Sequence, residues 1–353
     1  PRPEARRRVK VEIVGPERAA AWDGFVRAHP GGSLFHLHGW SRAIEAGLGH
    51  RAIMLAATGA GGIEGVLPLS LRRSRLFGDA LVSAGCATGG GTIASTPVAA
   101  ALLEAEAARL GGVLGVGHVE LRDLAPPPAP SPGWRVVDDV HAMFEGPIPP
   151  CDDEVLRAIP RKGRRHDVRR SLGRGLRFVA GAPLDAFHRV LCESYRNLGT
   201  PVFALRHMRA LVDALPGAFE AAVVDRDGEA LAAALSFRFR GAIHPFYAGG
   251  THAARALGAS DFLFLRLMGR GRELGCTRFE FGRSRLGTGS FAYKKSWGFV
   301  PRPLAYRFLL LRRDAPPRTD PSNPRYRALV AAWRMLPLPV ANAIGPMVAR
   351  QLA

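Results

Sequence analysis

The sequence predicts an α/β (α+β) protein of two tandem domains, each a mixed central sheet flanked by helices. Three observations predict it. At 353 residues the chain is long for one domain and comfortable for two, each able to bury a core. Short alternating apolar runs and longer alanine- and leucine-rich runs follow one another along the chain, a strand period giving way to a helix period and back. The two halves also repeat one order of elements: hairpin turn, strand, glycine pair, helix, strand. From the glycine pair to the middle of the closing strand is 30 residues in both, Gly89 to Val119 and Gly249 to Phe279.

Composition narrows the class. With 47% hydrophobic and 22% charged residues the chain is globular, which excludes disorder and fibrous repeats. Its four cysteines, Cys86, Cys151, Cys192 and Cys276, form no CxxC and no Cys/His cluster. They read as idle thiols of a reducing compartment, so neither a structural zinc nor any other metal is expected. The start, PRPEARRRVKVEIV, is basic and leads directly into a strand, without the apolar stretch of a secretion signal. No apolar run reaches the roughly eighteen residues of a membrane span. The expectation is a cytoplasmic protein, with the inner face of the membrane as a second location. The net charge of +19 calls for an anionic partner: nucleic acid, a phosphorylated cosubstrate or an anionic membrane surface.

The break APPPAPSPG at 125–133 is too proline-rich for a strand or helix. The domains expected from it are 1–150, 151–318 with the active cleft, and a tail at 319–353. Before the break, strand patterns cover 51–57, 65–71 and 118–121, with a helix at 98–110. After it come a basic helix at 161–174 and helices at 184–197 and 207–215. Strands follow at 220–224, 231–239 and 242–247, then a helix at 261–274 and a strand at 278–281. Hairpin turns fall at 59–62 and 225–228, and in each half a strand is expected to end at the glycine pair. This order is the core of the GNAT (acyl-CoA N-acyltransferase) fold, in which two neighbouring strands splay and a helix N-terminus faces the gap. Two tandem GNAT-like domains are therefore expected.

Five segments can carry chemistry. Arg255-Ala-Leu-Gly258-Ala259-Ser260 resembles the [Q/R]xxGx[G/A] pyrophosphate loop, where small residues let backbone N–H groups approach a phosphate at a helix N-terminus. The alternative is an ordinary loop with Asp261 as a helix N-cap. In GRSRLGTGSFAYKKSWGF, 282–299, the glycines can bring backbone amides to a ligand, so Arg283, Gly287, Thr288, Gly289 and Lys295 are candidate donor-binding residues. Tyr293, Lys294 and Trp297 stand there at helical spacing. An ammonium at such a site can stabilise an oxyanion or a phosphate. The basic stretch 159–175 offers Arg161, Lys162, Arg165 and Arg169 to a polyanion or acceptor, while His166 reads as a surface residue. Tyr247, in HPFYAGG, is either a proton relay in the cleft or a core aromatic, and Glu280 and His244 are further acid–base candidates. The tail, apolar and punctuated by arginine, has prolines at 337, 339 and 346 that forbid one continuous helix. It packs on the N-terminal domain or lies on a lipid surface with Trp333 and Arg334 at the headgroups.

Several stretches resemble FemAB-like proteins: FHLHGW at 35–40, GHR at 49–51, YRNLGTPVF at 195–203, the run ending in ASDF, FEFGRSRLGTGSFAYKKSWGF, NPRY and LPLPVANAIGPM. The nearest resemblance is to the branch encoded with exosortase and exopolysaccharide loci, and it runs over nearly the whole chain. It implies two GNAT-like domains, a last segment that returns to the first domain, and transfer of amino acids from aminoacyl-tRNA to amines of peptidoglycan precursors. The family's [FY]Kxx[FW]G motif falls on Tyr293, Lys294, Trp297 and Gly298. The resemblance thus makes Lys294 the first catalytic candidate, as a stabiliser of the tetrahedral oxyanion or of phosphates. The chain departs from the branch at Glu280, where Asp is usual, and at Gly258, which makes the loop more like a CoA site.

The function expected is N-acyl or aminoacyl transfer, with Lys294, Tyr247, Glu280 and Tyr293 as catalytic candidates and Asn197 and Trp297 toward the acceptor. The donor is acyl-CoA or aminoacyl-tRNA, used as a cosubstrate, and no permanently bound cofactor is expected. The acceptor is an amine on a cell-envelope precursor. A second reading delivers a long-chain acyl group from CoA to a lipid amine, as in ceramide synthesis. A third is a non-catalytic binder of nucleic acid or anionic polysaccharide; no DNA- or RNA-recognition motif is present, and DNA is not expected as a partner.

Overall fold

The computed structural model describes residues 9–75, 77–124, 131–317 and 324–352. Most of the proline-rich break and the basic N-terminus lie outside the described residues. The chain divides into two compact units, one built from 1–139 and 304–318 with the last three residues, the other from 140–303 and 319–350. In chain order the first unit holds β1 (Lys10–Ile13), α1 (Ala19–Ala28), α2 (His38–Leu48), β2 (Arg51–Gly59), β3 (Gly62–Arg72), β4 (Ala80–Ser83), β5 (Ile93–Ala94), α3 (Pro97–Val113), β6 (His118–Arg122) and β7 (Trp134–Val137). The second holds β8 (His141–Pro147), α4 (Asp152–Ala158), α5 (Arg165–Leu172), β9 (Arg177–Ala180), α6 (Leu184–Leu198), α7 (Leu205–Ala214), β10 (Phe219–Arg226), β11 (Glu229–Phe239) and β12 (Ala242–Gly250). It continues with α8 (Ala254–Leu257), α9 (Ala259–Glu273), β13 (Arg278–Arg285), α10 (Gly289–Ser296) and β14 (Pro301–Pro303). Then β15 (Tyr306–Leu310) joins the first unit, and α11 (Pro324–Met335) and α12 (Leu338–Leu352) follow it.

Each unit is a mixed sheet flanked by helices, as expected. The orders are β1-β2-β3-β4-β6-β15-β7, with β5 on β3, and β14-β8-β13-β12-β11-β10-β9. The duplication is exact in topology: an antiparallel hairpin, β2–β3 or β10–β11, then an antiparallel neighbour, then a helix crossover to a parallel strand. The β10–β11 turn follows from Asp227-Gly228, both at positive φ, the pattern of a two-residue hairpin whose twist matches its strands. Thr96 caps α3 through a bond from Ala99 N, and Pro97 starts the helix where no N–H is needed. In β11 the run Leu231 to Leu235 is fully buried, mostly by alanines, as a central strand covered on both faces requires.

The structure corrects four expectations. The boundary at 150 moves, because β8 pairs antiparallel with β13 and belongs to the second sheet. The boundary at 318 moves likewise, because β15 pairs with β6 and β7 in the first. The returning segment is thus β15, and the tail packs instead on the second unit. There Arg334 donates to Leu198 O and Arg196 to Arg334 O, while Gly345 lies against Val202. Finally, the first glycine pair ends no strand: β4 stops at Ser83, and Gly89 and Gly90 lie in the loop beyond it. The helix break at Pro337 is present, while Pro346 is carried inside α12.

That loop is bonded to β6 and its end. Gly91 N donates to Arg122 O, and the Arg122 guanidinium donates to Ala87 O and Glu120. Beside them Arg307 bridges Asp123 and Glu104, all nearly inaccessible. These buried charges are thus paired and bonded.

Candidate functional site

In the second unit β12 and β13 pair through only two positions, Ala242 with Arg278 and Ile243 with Phe279, and then part. β12 stays with β11 to Gly250, and β13 stays with β8 through a bulge between Glu280 and Gly282. Phe279 and Phe281 enter the core beneath α9, so Glu280 points to the opposite face. There it meets His244, Nδ1 to Oε2 at 3.3 Å. Burial alone raises the Glu280 carboxyl, but His244, Arg278 and Arg302 outweigh it and hold the group below its ordinary range. Gly282 has φ +78°, and a Cβ there would stand 2.7 Å from His244 Nε2. On the same residue's carbonyl sits Lys294. Its Nζ donates to Gly282 O and Arg283 O, each at 3.0 Å, and faces the rings of Phe281 and Phe144 at 5.6 and 5.8 Å. Burial, aided by Arg283, lowers the ammonium to about 7. The two carbonyls and two ring faces support the protonated form against that pull.

At the far end of β12 the chain passes through α8, turns at Gly258 in the left-handed region and opens α9 with Ala259, Ser260 and Asp261. Asp261 is not the N-cap. Its buried carboxylate accepts from Tyr293 Oη at 2.8 Å and from Arg164 at 3.0 Å, and the Arg164 guanidinium lies 4.4 Å over the Tyr293 ring. Burial raises the Asp261 carboxyl although both partners pull it down. In turn, burial and Asp261 push the Tyr293 phenol well above its usual value. A cavity of about 350 Å³ opens beside this helix start, lined by Ser194, Asn197, Gly250, Thr251, Arg255, Ser260 and Arg334 among others. Ser194 Oγ holds Gly250 N and Glu193 holds His252 N, so α6 fixes the loop. Two guanidinium-bearing residues, hydroxyls and helix-start amides suit an anionic, phosphate-bearing ligand.

A short crossover helix, a small-residue turn and a parted strand pair here coincide with a sequence match. Residues 156–295 match the Acetyltransferase (GNAT) domain family. Acyl transfer is the activity class this GNAT match supports. No sequence relative is found among curated proteins. Among solved structures the chain is similar to FemX, at 17% identity and TM-score 0.68, over 86% of this chain and 98% of that one. It is similar to L-PGS from Bacillus licheniformis at 17% and 0.55, over 92% and 99%. A third is the C-terminal domain of a putative lysylphosphatidylglycerol synthetase from Agrobacterium fabrum, at 14% and 0.52, over 83% and 91%. These likenesses show the fold, two tandem GNAT-like domains.

The GNAT domain brings some candidates together and separates others. Arg255, Ser260 and Asn197 line one cavity. Gly258 and Ala259 form the turn beneath it. Lys294, Glu280 and His244 converge on Gly282 at the strand parting and are not part of that cavity lining. Tyr247 is buried, its hydroxyl 3.0 Å from His207 Nε2. Gly287, Thr288 and Gly289 start α10, Thr288 accepting from Phe291 N as its cap. Arg283 and Lys295 are exposed beside them, as are Arg161, Lys162 and Arg169 on the basic stretch. Two assignments are corrected. Trp297 is 3% exposed and packs on Phe264 and Phe281 in the core, because the helix turns it inward, so it is not an acceptor contact. Arg165 spends its guanidinium on the carbonyls of Arg157 and Ile159 that end α4. Sequence reasoning missed Arg164, Ser194 and His207, and offered Arg334 to lipid headgroups rather than to the cavity it lines. Arg164 is indistinguishable by pattern from its basic neighbours, and the others are recognisable only once α6, α7 and α11 meet β12.

Proposed function

We propose that the second GNAT domain transfers an acyl or aminoacyl group from acyl-CoA or aminoacyl-tRNA to an amine of a cell-envelope precursor. The observation that carries this reading is the cavity where Arg255 and Ser260 meet the start of α9 at the end of a strand that parts from its parallel neighbour. In this reading Arg255 and the helix-start amides hold the donor's phosphates, and the reacting carbonyl lies along the parting strands. The amine lone pair attacks that carbonyl and forms the C–N bond. The oxyanion is stabilised by the Lys294 ammonium, and collapse expels the CoA thiolate or the tRNA ribose oxygen while the amine proton leaves to a base. The Glu280–His244 pair is the nearest acid–base couple to Lys294 through Gly282. The resemblance to FemAB-like proteins encoded with exosortase and exopolysaccharide loci makes an envelope amine the first acceptor to try.

One observation favours a second acceptor, a lipid amine receiving a long-chain acyl group. Helix α11, which lines the cavity with Arg334, also exposes Leu329 and Met335. Titration calorimetry with CoA and acyl-CoA tests the donor site. Arg255→Ala is expected to weaken CoA binding by about ten- to hundredfold, the loss of one charge-assisted contact worth roughly 1.5–3 kcal/mol. Unchanged affinity removes the loop from the site. Mass spectrometry of products formed from envelope and lipid amines then decides between the acceptors.

A further inference from the structure

The tail is built inside out. In α12 the residues packed inward are small, Ala341, Gly345 and Ala349, at i, i+4 and i+8. The large apolar side chains Val340, Ile344 and Met347 face solvent, Met347 at 65%. Helix α11 and the link after it add Leu329 and Met335, the latter 84% exposed. A helix on a globular surface ordinarily turns such residues to the core. Along the same segment, residues 324–353 carry four arginines, Arg325, Arg327, Arg334 and Arg350, and no Asp or Glu. Among the described residues no helix is long and apolar enough to cross a membrane.

We propose that α11 and α12 form a docking element for the surface of an anionic lipid bilayer. Helices with apolar side chains on one face, in a segment with arginines and no acidic residue, lie in the headgroup layer, the apolar side chains entering the acyl boundary and the positive segment meeting phosphates. Charge decides the occupant. A second copy presents the same arginine-bearing, acid-free strip, so pairing the two strips adds like-charge repulsion that anionic headgroups remove. Arg334 ties the element to the cavity, since it lines it and donates to Leu198 O at its rim. The docked protein thus holds its cavity beside the lipid surface. The inference stands apart from the proposed reaction.

Cosedimentation of the full chain with vesicles tests it. The expected result is binding to phosphatidylglycerol–phosphatidylcholine vesicles and much weaker binding to phosphatidylcholine alone. The triple variant Met335→Gln, Ile344→Gln, Met347→Gln keeps the net charge. It is expected to lose on the order of tenfold or more in partitioning, with melting temperature and CoA affinity unchanged. Three results overturn the proposal: no binding of the natural chain to anionic vesicles, equal binding by the triple variant, or a dimer in analytical ultracentrifugation that the variant dissolves. Loss of vesicle binding with CoA affinity retained separates its outcome from that of the donor site.

Discussion

Replacing Gly282 by alanine tests the junction on which the candidate site turns. Two costs act at this position. The backbone stands at φ +78°, and the new Cβ would lie 2.7 Å from His244 Nε2 on a side chain that is itself buried. The left-handed conformation costs a non-glycine residue roughly 1–2 kcal/mol, and forcing a methyl into a packed site adds about 1–3 kcal/mol. Gly287 separates the two: it has φ +73° but no atom within 4 Å of its Cβ position. Gly287→Ala should therefore show only the backbone cost. Urea denaturation followed by tryptophan fluorescence is expected to give a midpoint loss for Gly282→Ala about twice that of Gly287→Ala or more, with His244→Ala recovering part of the excess in the double variant. Because the Gly282 carbonyl also holds Lys294 Nζ, turnover should fall further than stability in the Gly282 variant alone. Equal midpoint shifts for the two single variants would refute the close packing of His244 on the bulge, and with it the convergence of Lys294 and His244.

Three further outcomes follow from the structure. Lys294→Ala is expected to lower kcat by about a hundred- to a thousandfold, the usual scale for one oxyanion donor. The ammonium must be protonated to act, and burial with Arg283 lowers it to about 7. Rates should therefore fall as pH rises through that value, and Arg283→Ala should move the descending limb upward in a pH–rate profile; a limb that stays in place speaks against Lys294 as the titrating group. Trp297→Ala should cost about 3–5 kcal/mol of stability, as loss of a buried aromatic does, while heparin-column retention of the folded protein stays unchanged. Earlier elution would return Trp297 to the binding surface.

The regular elements of the sheet cores were legible because their signals are local. Strands 51–57 and 231–239 and helices 98–110 and 184–197 lie within the observed elements, since periodicity and turn residues are written within each segment. What escaped was long-range. Neither β8 nor β15 announces which sheet it will join, as that depends on which edge of β13 or β6 is open. The site divided in the same way. Arg255, Ser260 and Asn197 were legible, the first two as a loop pattern and Asn197 in a stretch of family resemblance, and they line one cavity. Trp297 was misplaced because helical spacing next to Lys294 does not say which face turns inward. In the Asp261–Arg164–Tyr293 triangle the Arg164–Asp261 bond alone joins residues 97 apart, and the sequence showed only an N-cap-like aspartate.

Register shows how the two copies differ at the strand that parts. Aligning the two parallel pairs, Ala80 with His118 and Ala242 with Arg278, places Glu120 opposite Glu280 in the duplication and Arg122 opposite Gly282. Both copies thus keep a carboxylate on the outer face of the strand that parts. In the first, the basic partner comes from the same strand: Arg122 bonds Glu120 and reaches on to Ala87 O in the loop after β4. In the second, the partner comes from the neighbouring strand as His244, which fits only because position 282 has no side chain. At this position the Gly282 carbonyl receives the Lys294 ammonium from α10, where in the first copy the Arg122 carbonyl receives Gly91 N. One register position therefore separates a buried ion network from a parted pair of strands with a lysine of lowered pKa at its side.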